Sequence, residues 1–202
     1  GNGKTVIAEG IGRALGSDMH VPHAIDIDGQ TITIYDPVNH VSSTPISAST
    51  SVVTAAMHDR RWETIKRPVV VVGGELTPEI PDLTFNPISR FYEAPIHMKA
   101  NGGVFVVDDF GRQRIPPRDL LNRWIVPLES RVDFLTLKTG QKFELPFMVL
   151  VVFATNIRPA ELVDEAFLRR IHYKVFAESP TIADFKQIFA NVCREREIRY
   201  DE

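Results

Sequence analysis

Residues 102–112 read GGVFVVDDFGR. Four apolar residues, Val104 to Val107, stand between a glycine pair and two adjacent carboxylates, Asp108 and Asp109. A short apolar run without alternation predicts a strand covered on both faces, as in a parallel sheet. Open sheets of that kind bind ligands outside the carboxyl ends of their strands. Asp108 and Asp109 fall at that edge. Read alone, the same pattern also describes a strand that leaves the core through a solvated acidic turn. The rest of the chain decides between the two.

Far upstream, residues 1–5 read GNGKT and run into KTVIAEGIGRAL, whose apolar spacing is helical. This matches the end of the phosphate-binding pattern G-x-x-x-x-G-K-[ST]. Glycines let backbone N–H groups wrap phosphate oxygens, and a helix N-terminus adds its positive dipole end. Gly1, Asn2, Gly3, Lys4, Thr5 and Val6 are therefore candidate nucleotide-binding residues. Lys4 is placed to reach the β- and γ-phosphates of ATP, and the Thr5 hydroxyl to bind Mg²⁺. With that loop upstream, Asp108 reads as a second Mg²⁺ contact through water, and Asp109 as a general base for an attacking water.

Two further stretches fit this chemistry. VLVVFATN ends a strand in Thr155 and Asn156, and an amide there can orient water near a γ-phosphate. The plainer reading is turn chemistry after a strand, which asparagine favours. DEAFLRRI carries Arg169 and Arg170 near a helix end, from which an arginine can enter a neighbouring subunit's site and stabilise transferred charge. Either arginine alone reads equally as a solvated or salt-bridged surface residue.

Elsewhere the chain alternates short apolar strands with helices, which argues an α/β domain with a mainly parallel sheet. PVVVVGG (68–74) and residues 147–156 predict further strands, the second fully buried. Residues 118–131 predict a helix that Pro127 ends or kinks, and 164–171 a short one. HYKVF (172–176) predicts a last strand, and a helix follows Pro180. Alternation around Asp28-Gly29 and Thr139-Gly140 predicts two inserted β-hairpins. Residues 42–55 read as a loop and 77–90 as an irregular excursion.

Composition bounds the function. The chain has 202 residues and a formal charge of −3, so it carries no global basic footprint for nucleic acid. Cys193 is the only cysteine, which makes a reducing compartment, the cytoplasm, the expectation. No apolar run approaches a membrane span. The six histidines lack ligand-like spacing and read as structural.

Taken in order, these motifs resemble the AAA+ ATPase family. GNGKT is similar to the end of its Walker A loop, VFVVDD to Walker B, FATN to the sensor-1 strand and DEAFLRRI to the arginine-finger segment. The resemblance implies a P-loop NTPase three-layer sandwich over residues 1–178 and the beginning of a helical lid over 179–202. It implies a homo-oligomeric ring, a hexamer, with ATP and Mg²⁺ between subunits. Lys4, Thr5, Asp108, Asp109 and Asn156 would serve their own subunit's site, and Arg169 or Arg170 the next.

Two departures stand out. The family usually has Glu where Asp109 stands, one methylene longer, which bears on hydrolysis rate more than on binding. The strand and the first glycine that precede such a loop are missing, so we expect the sequence to be a stretch of a longer protein. The hairpin before the sensor-1-like strand resembles the branch holding MoxR-type chaperones, sigma-factor-dependent activators, ClpX-like unfoldases and replicative helicases. The activators' GAFTGA loop is replaced here by GGELTPEIPDLTFNPISRF. Phe85, Phe91 and Tyr92 in that stretch read as packing under a long loop. The expectation is a MoxR-like ATPase remodelling an unidentified protein partner. The alternatives are a nucleotide-gated scaffold with little hydrolysis, and a DNA motor using Lys138 and Lys142.

Overall fold

Strand β8 (Val104–Val107) is the only strand with every residue buried among those described, and the architecture follows from it. The computed structural model describes residues 3–43, 59–77, 82–162 and 165–199. Gly1, Asn2 and most of the loop expected at 42–55 lie outside them. Before β8 come α1 (Lys4–Ala14), β1 (Met19–Pro22), β2 (Ala24–Ile27), β3 (Gln30–Thr33), β4 (Trp62–Ile65), β5 (Val69–Val72), β6 (Thr84–Asn86), β7 (Phe91–Glu93) and α2 (Ile96–Lys99). After it come α3 (Pro117–Ser130), β9 (Val132–Thr136), β10 (Lys142–Pro146), β11 (Leu150–Phe153), α4 (Pro159–Leu162), α5 (Glu165–Leu168) and α6 (Ile182–Glu195).

The central sheet has the order β11-β8-β5 and is parallel throughout, with Val104 level with Val69 on one side and Leu150 on the other. One face, Val104 and Val106, packs with Ala8 of α1. The opposite face, Phe105 and Val107, joins Leu120, Leu121 and Trp124 of α3. Phe105 meets Trp124 edge-on at 5.3 Å between ring centroids. Burying each such side chain stabilises the fold by about 1.5–3 kcal/mol. The result is helix, sheet, helix: a mixed α/β fold around a parallel sheet. Gly12 explains how closely α1 approaches. A Cβ there would stand 2.1 Å from Val69 Cγ2.

A second core lies beside the first. Strands β2, β3, β7 and β6 form a mixed sheet that packs on the β9–β10 hairpin through Ile32, Tyr92, Leu135 and Leu137. The β2–β3 turn uses Asp28 (φ 49°) and Gly29 (φ 77°), the positive-φ pair that a two-residue hairpin needs. The β9–β10 tip is docked: the Lys138 N–H donates to Tyr92 Oη at 2.9 Å, Lys138 Nζ sits 4.5 Å over the Phe85 ring, and the Gln141 amide donates to Asp28.

Two charged networks tie the cores together. Asp133, buried, accepts from His97 Nε2 at 2.7 Å and from Arg123 Nη1 at 2.6 Å. Burial pushes its carboxyl up, but those two donors outweigh it and hold it below the usual carboxylate range. Lys99 Nζ donates to Asp36 at 2.8 Å and to Glu93 at 2.6 Å. His40 is buried against the Lys99 carbonyl, at 2.7 Å. Both buried histidines are thus structural.

The structure corrects several expectations. Residues 172–176 form no strand; no described strand lies beside them to take their backbone hydrogen bonds, and Tyr173, Val175 and Phe176 are exposed. β11 is an edge strand of the described sheet with Leu150 exposed, so it is not fully buried. Pro127 does not end α3. It is buried inside the helix, which runs on to Ser130 and stops where Arg131 turns left-handed at φ 58°. The excursion expected at 77–90 contains β6 and the tight turn to β7, where Asn86 Oδ1 accepts from the Ile88 and Ser89 N–H groups. Tyr92 in β7 is buried, whereas Phe91 is exposed. The antiparallel β1–β4 pair has no counterpart in the sequence reading.

Two tests follow. Gly12→Ala should lower stability by about 1–3 kcal/mol, because the methyl group overpacks against Val69; urea unfolding reads this directly. Asp36 is pushed up by burial but lowered more by Lys99, the Val38 N–H and Asn39, to about 2. Its folded-state value is depressed, so its contribution is present above the unfolded carboxylate range and is lost as pH falls from about 4 to 2, a loss of roughly 2 kcal/mol. Asp36→Asn should therefore cost most near neutral pH and least at about pH 2, as read from unfolding midpoints across that window.

Candidate functional site

The carboxyl edge of the sheet is built by the loops that follow β8 and β11. Asp108, half-buried, donates its N–H to the Val72 carbonyl at 2.7 Å, so the ladder with β5 continues one residue past the strand. Its side chain accepts the Asp109 N–H at 2.9 Å. Asp109 turns left-handed at φ 48° and is exposed. Aspartate tolerates that region better than most residues. The chain then folds back: the Phe110 N–H donates to Ala154 O at 2.8 Å, and Thr155 Oγ1 donates to Phe110 O at 2.8 Å. The same hydroxyl accepts from the Ile157 N–H at 3.0 Å. This stitching places Asn156 against Asp109, with its Nδ2 donating to Oδ1 at 3.3 Å. Asp108, Asp109 and Asn156, named from two separate stretches of sequence, thus meet.

Gln113 and Thr155 were not singled out by the sequence. Gln113 Nε2 donates to Asp108 O at 2.8 Å, and its Oε1 accepts from the Gly111 N–H at 2.7 Å. Gly111, at φ 103°, lets the turn close: a Cβ there would meet Leu162 Cδ2 at 2.4 Å. No spacing pattern announces such a clamp, because its partners are backbone atoms. Thr155 carried a signal only in its place beside Asn156.

The N-terminal end of α1 points to the same edge. Ala8 packs on Val104 and Val106, while Gly12, one turn further on, meets Val69, which is level with Val104 at the amino end of the strands. The helix therefore runs antiparallel to the strands, and its first residues, Lys4, Thr5 and Val6, lie toward Asp108. Gly3 is the N-cap, in the left-handed region at φ 68°, with no side-chain cap and no acidic residue in the first turn. The first N–H groups of a helix are otherwise unsatisfied. Val6 is exposed. Among the described residues, no group of three acidic, histidine or cysteine side chains gathers to hold a metal ion.

Arg169 and Arg170 follow α5. Arg169 Nη2 pairs with Glu165 on the same helix at 3.1 Å, and Arg170 Nε with Glu129, in the last turn of α3, at 2.5 Å. Both arginines are bound within their own chain.

No protein-family model matches the chain, and no curated protein matches it. Among solved structures, it is similar to NtrX from Brucella abortus, with 17% identity over 65% of this chain and 32% of that one, at a TM-score of 0.46. A second structure of NtrX from Brucella abortus, in complex with ADP, gives 17% identity over 65% of this chain and 31% of that one, at a TM-score of 0.44. The matched stretch spans about a third of the length of those chains. A likeness of this size assigns no activity to the chain.

Thr155→Val removes a hydroxyl that both gives and accepts a hydrogen bond, leaving Phe110 O and Ile157 N–H unpaired. It should cost about 1–3 kcal/mol. Hydrogen exchange at the Ile157 amide should quicken by more than that at the Val106 amide.

Proposed function

We propose that the chain is the nucleotide-binding part of an AAA+-type ATPase that hydrolyses ATP and remodels a protein partner. One observation carries the reading: the Asn156–Asp109 contact stands at the sheet edge toward which α1 aims an N-terminus without a side-chain cap. In this reading residues 1–6 wrap the phosphates, Lys4 reaches the β- and γ-phosphates, and Thr5 and Asp108 hold Mg²⁺. The ion supplies charge neutralisation at the phosphate oxygens. Asp109 takes the proton of the attacking water, and Asn156 orients that water. The edge fits an anion on its helix side, because no carboxylate stands in the first turn of α1.

Residues 1–178 then form the α/β domain and 179–202 begin a lid, whose helix α6 starts at Thr181 with a capping box to Asp184. Subunits assemble as a ring, and an arginine crosses to the next site. Arg169 is the better candidate for that crossing. Its exposed pair with Glu165 is of the kind that contributes about 0.3–0.5 kcal/mol, so it opens at little cost. Arg170 is half-buried and anchors α5 to α3. The β9–β10 hairpin before β11 fits the branch that holds MoxR-type chaperones together with sigma-factor-dependent activators, ClpX-like unfoldases and replicative helicases. Lys138, stacked on Phe85, is poorly placed to track DNA phosphates.

The full-length protein should hydrolyse ATP in the presence of Mg²⁺. Asp109→Asn should lower kcat by about 10²-fold or more while nucleotide affinity stays within about threefold, and Asn156→Ala should slow turnover by about tenfold or more. Lys4→Ala should abolish nucleotide binding as followed with a fluorescent ATP analogue. Full turnover in Lys4→Ala would sink the assignment. Slow wild-type turnover with a large gain in Asp109→Glu would instead make the chain a nucleotide-gated scaffold.

A further inference from the structure

At the end of the parallel sheet opposite Asp108, a cleft of about 420 Å³ opens between the last turns of α1, the start of β5 and the segment after β3. Arg13, Lys66 and Arg67 border it, against a single carboxylate, Asp18. Arg61 closes on Asp59, Lys99 on Asp36 and Glu93, and Arg123 on Asp133. Arg13, Lys66 and Arg67 make no ion pair among the described residues. Three cations thus border one cleft of a chain whose net charge is −3.

Arg67 is the ordered member of the three. Its Nη1 donates to the Gly102 carbonyl at 2.6 Å, and its buried Nε has no partner among the described residues. That bond fixes the guanidinium at the wall of the cleft, and a planar guanidinium is the donor geometry a carboxylate favours. Beside these cations stand two uncovered aliphatic side chains, Val38 (88% exposed) and Val41 (60% exposed). The Val41 carbonyl accepts the Lys66 N–H at 2.9 Å, which keeps the apolar rim and the charge together.

We infer that this cleft binds an acidic segment of a partner polypeptide. Its Asp or Glu carboxylates sit against Arg13, Lys66 and Arg67, and a neighbouring aliphatic side chain covers Val38 and Val41. Charge complementarity favours a polyanion, and the lining selects which kind. No aromatic ring borders the cleft among the described residues, so the stacking platform that single-stranded nucleic acid uses is missing. A volume of about 420 Å³ holds a few side chains of an extended segment. The cleft lies at the far end of the sheet from Asp108, Asp109 and Asn156, and the inference does not depend on the nucleotide reading.

The test is fluorescence anisotropy of the full-length protein with a short labelled peptide of alternating Glu and Val. Binding should saturate and weaken severalfold from low to physiological salt. Arg13→Glu combined with Lys66→Glu should weaken it by about tenfold or more, and so should replacing every Glu of the peptide with Gln. Val38→Ser combined with Val41→Ser should weaken it by about threefold. Arg13 and Lys66 are exposed, so their variants leave the Arg67–Gly102 bond intact; far-UV circular dichroism checks this, and Arg13→Gln with Lys66→Gln serves if the charge reversals disturb folding. Absent saturation, equal binding of the Gln peptide, or unchanged affinity in the variants overturns the inference. So does tighter binding of a labelled oligothymidine of matching length, lost in the same variants, which would make the cleft a nucleic-acid surface.

Discussion

The two-sided burial of Val104–Val107 is the constraint on which the rest of the molecule depends. A strand with no solvent face must have a layer above and below it, and α1 and α3 are those layers. It must also have neighbours on both edges, and β5 and β11 take its backbone hydrogen bonds. Where it ends, the chain emerges beside the ends of both neighbours. Asp108 therefore hydrogen-bonds back to Val72, and Phe110 to Ala154. The candidate site is thus a by-product of sheet geometry: carboxylates and an amide at the same edge, brought there by main-chain bonds and trimmed by the side chains of Thr155 and Gln113.

Polar groups inside the fold work differently from the apolar layers. Asp133 is nearly without solvent, yet it is ionised because His97 and Arg123 reach it from α2 and α3. Removing one donor would strand a buried charge, which is more costly than never having built the pair. Such networks act as keys: they fix which surface of the hairpin faces which helix, where apolar contact alone would tolerate sliding. Lys99 does the same between Asp36 and Glu93, joining the segment after β3 to β7.

Much of this was legible in the chain itself, for reasons that are local. An unbroken apolar run marks β5 and β8, and paired turn residues at Asp28-Gly29 and Thr139-Gly140 mark the hairpins. The stop of α1 follows from Gly16, which adopts φ 77°. What was hidden depends on partners distant in sequence. β1 and β4 pair residues such as His20 and Thr64, and neither segment alternates cleanly. β6 and β7 are three residues each, masked by prolines nearby. Residues 172–176 have strand composition but no described neighbour, and composition cannot supply one. At the site, Asp108, Asp109 and Asn156 could be named from motifs, whereas Gln113 could not, because it grips carbonyl and amide groups rather than side chains.

The docked tip of the β9–β10 hairpin has a mechanical consequence. Lys138, Gln141 and Tyr92 fasten it to the four-stranded sheet at one end, and Asp133 fastens it to α2 and α3 at the other. A hairpin pinned at both ends does not flap. It behaves as a strut, so that tilting α3 swings the hairpin and the β6–β7 turn together as one arm. That turn carries the exposed Ile88 at its crest. A displacement of α3 is therefore carried to Ile88 rather than absorbed within the hairpin.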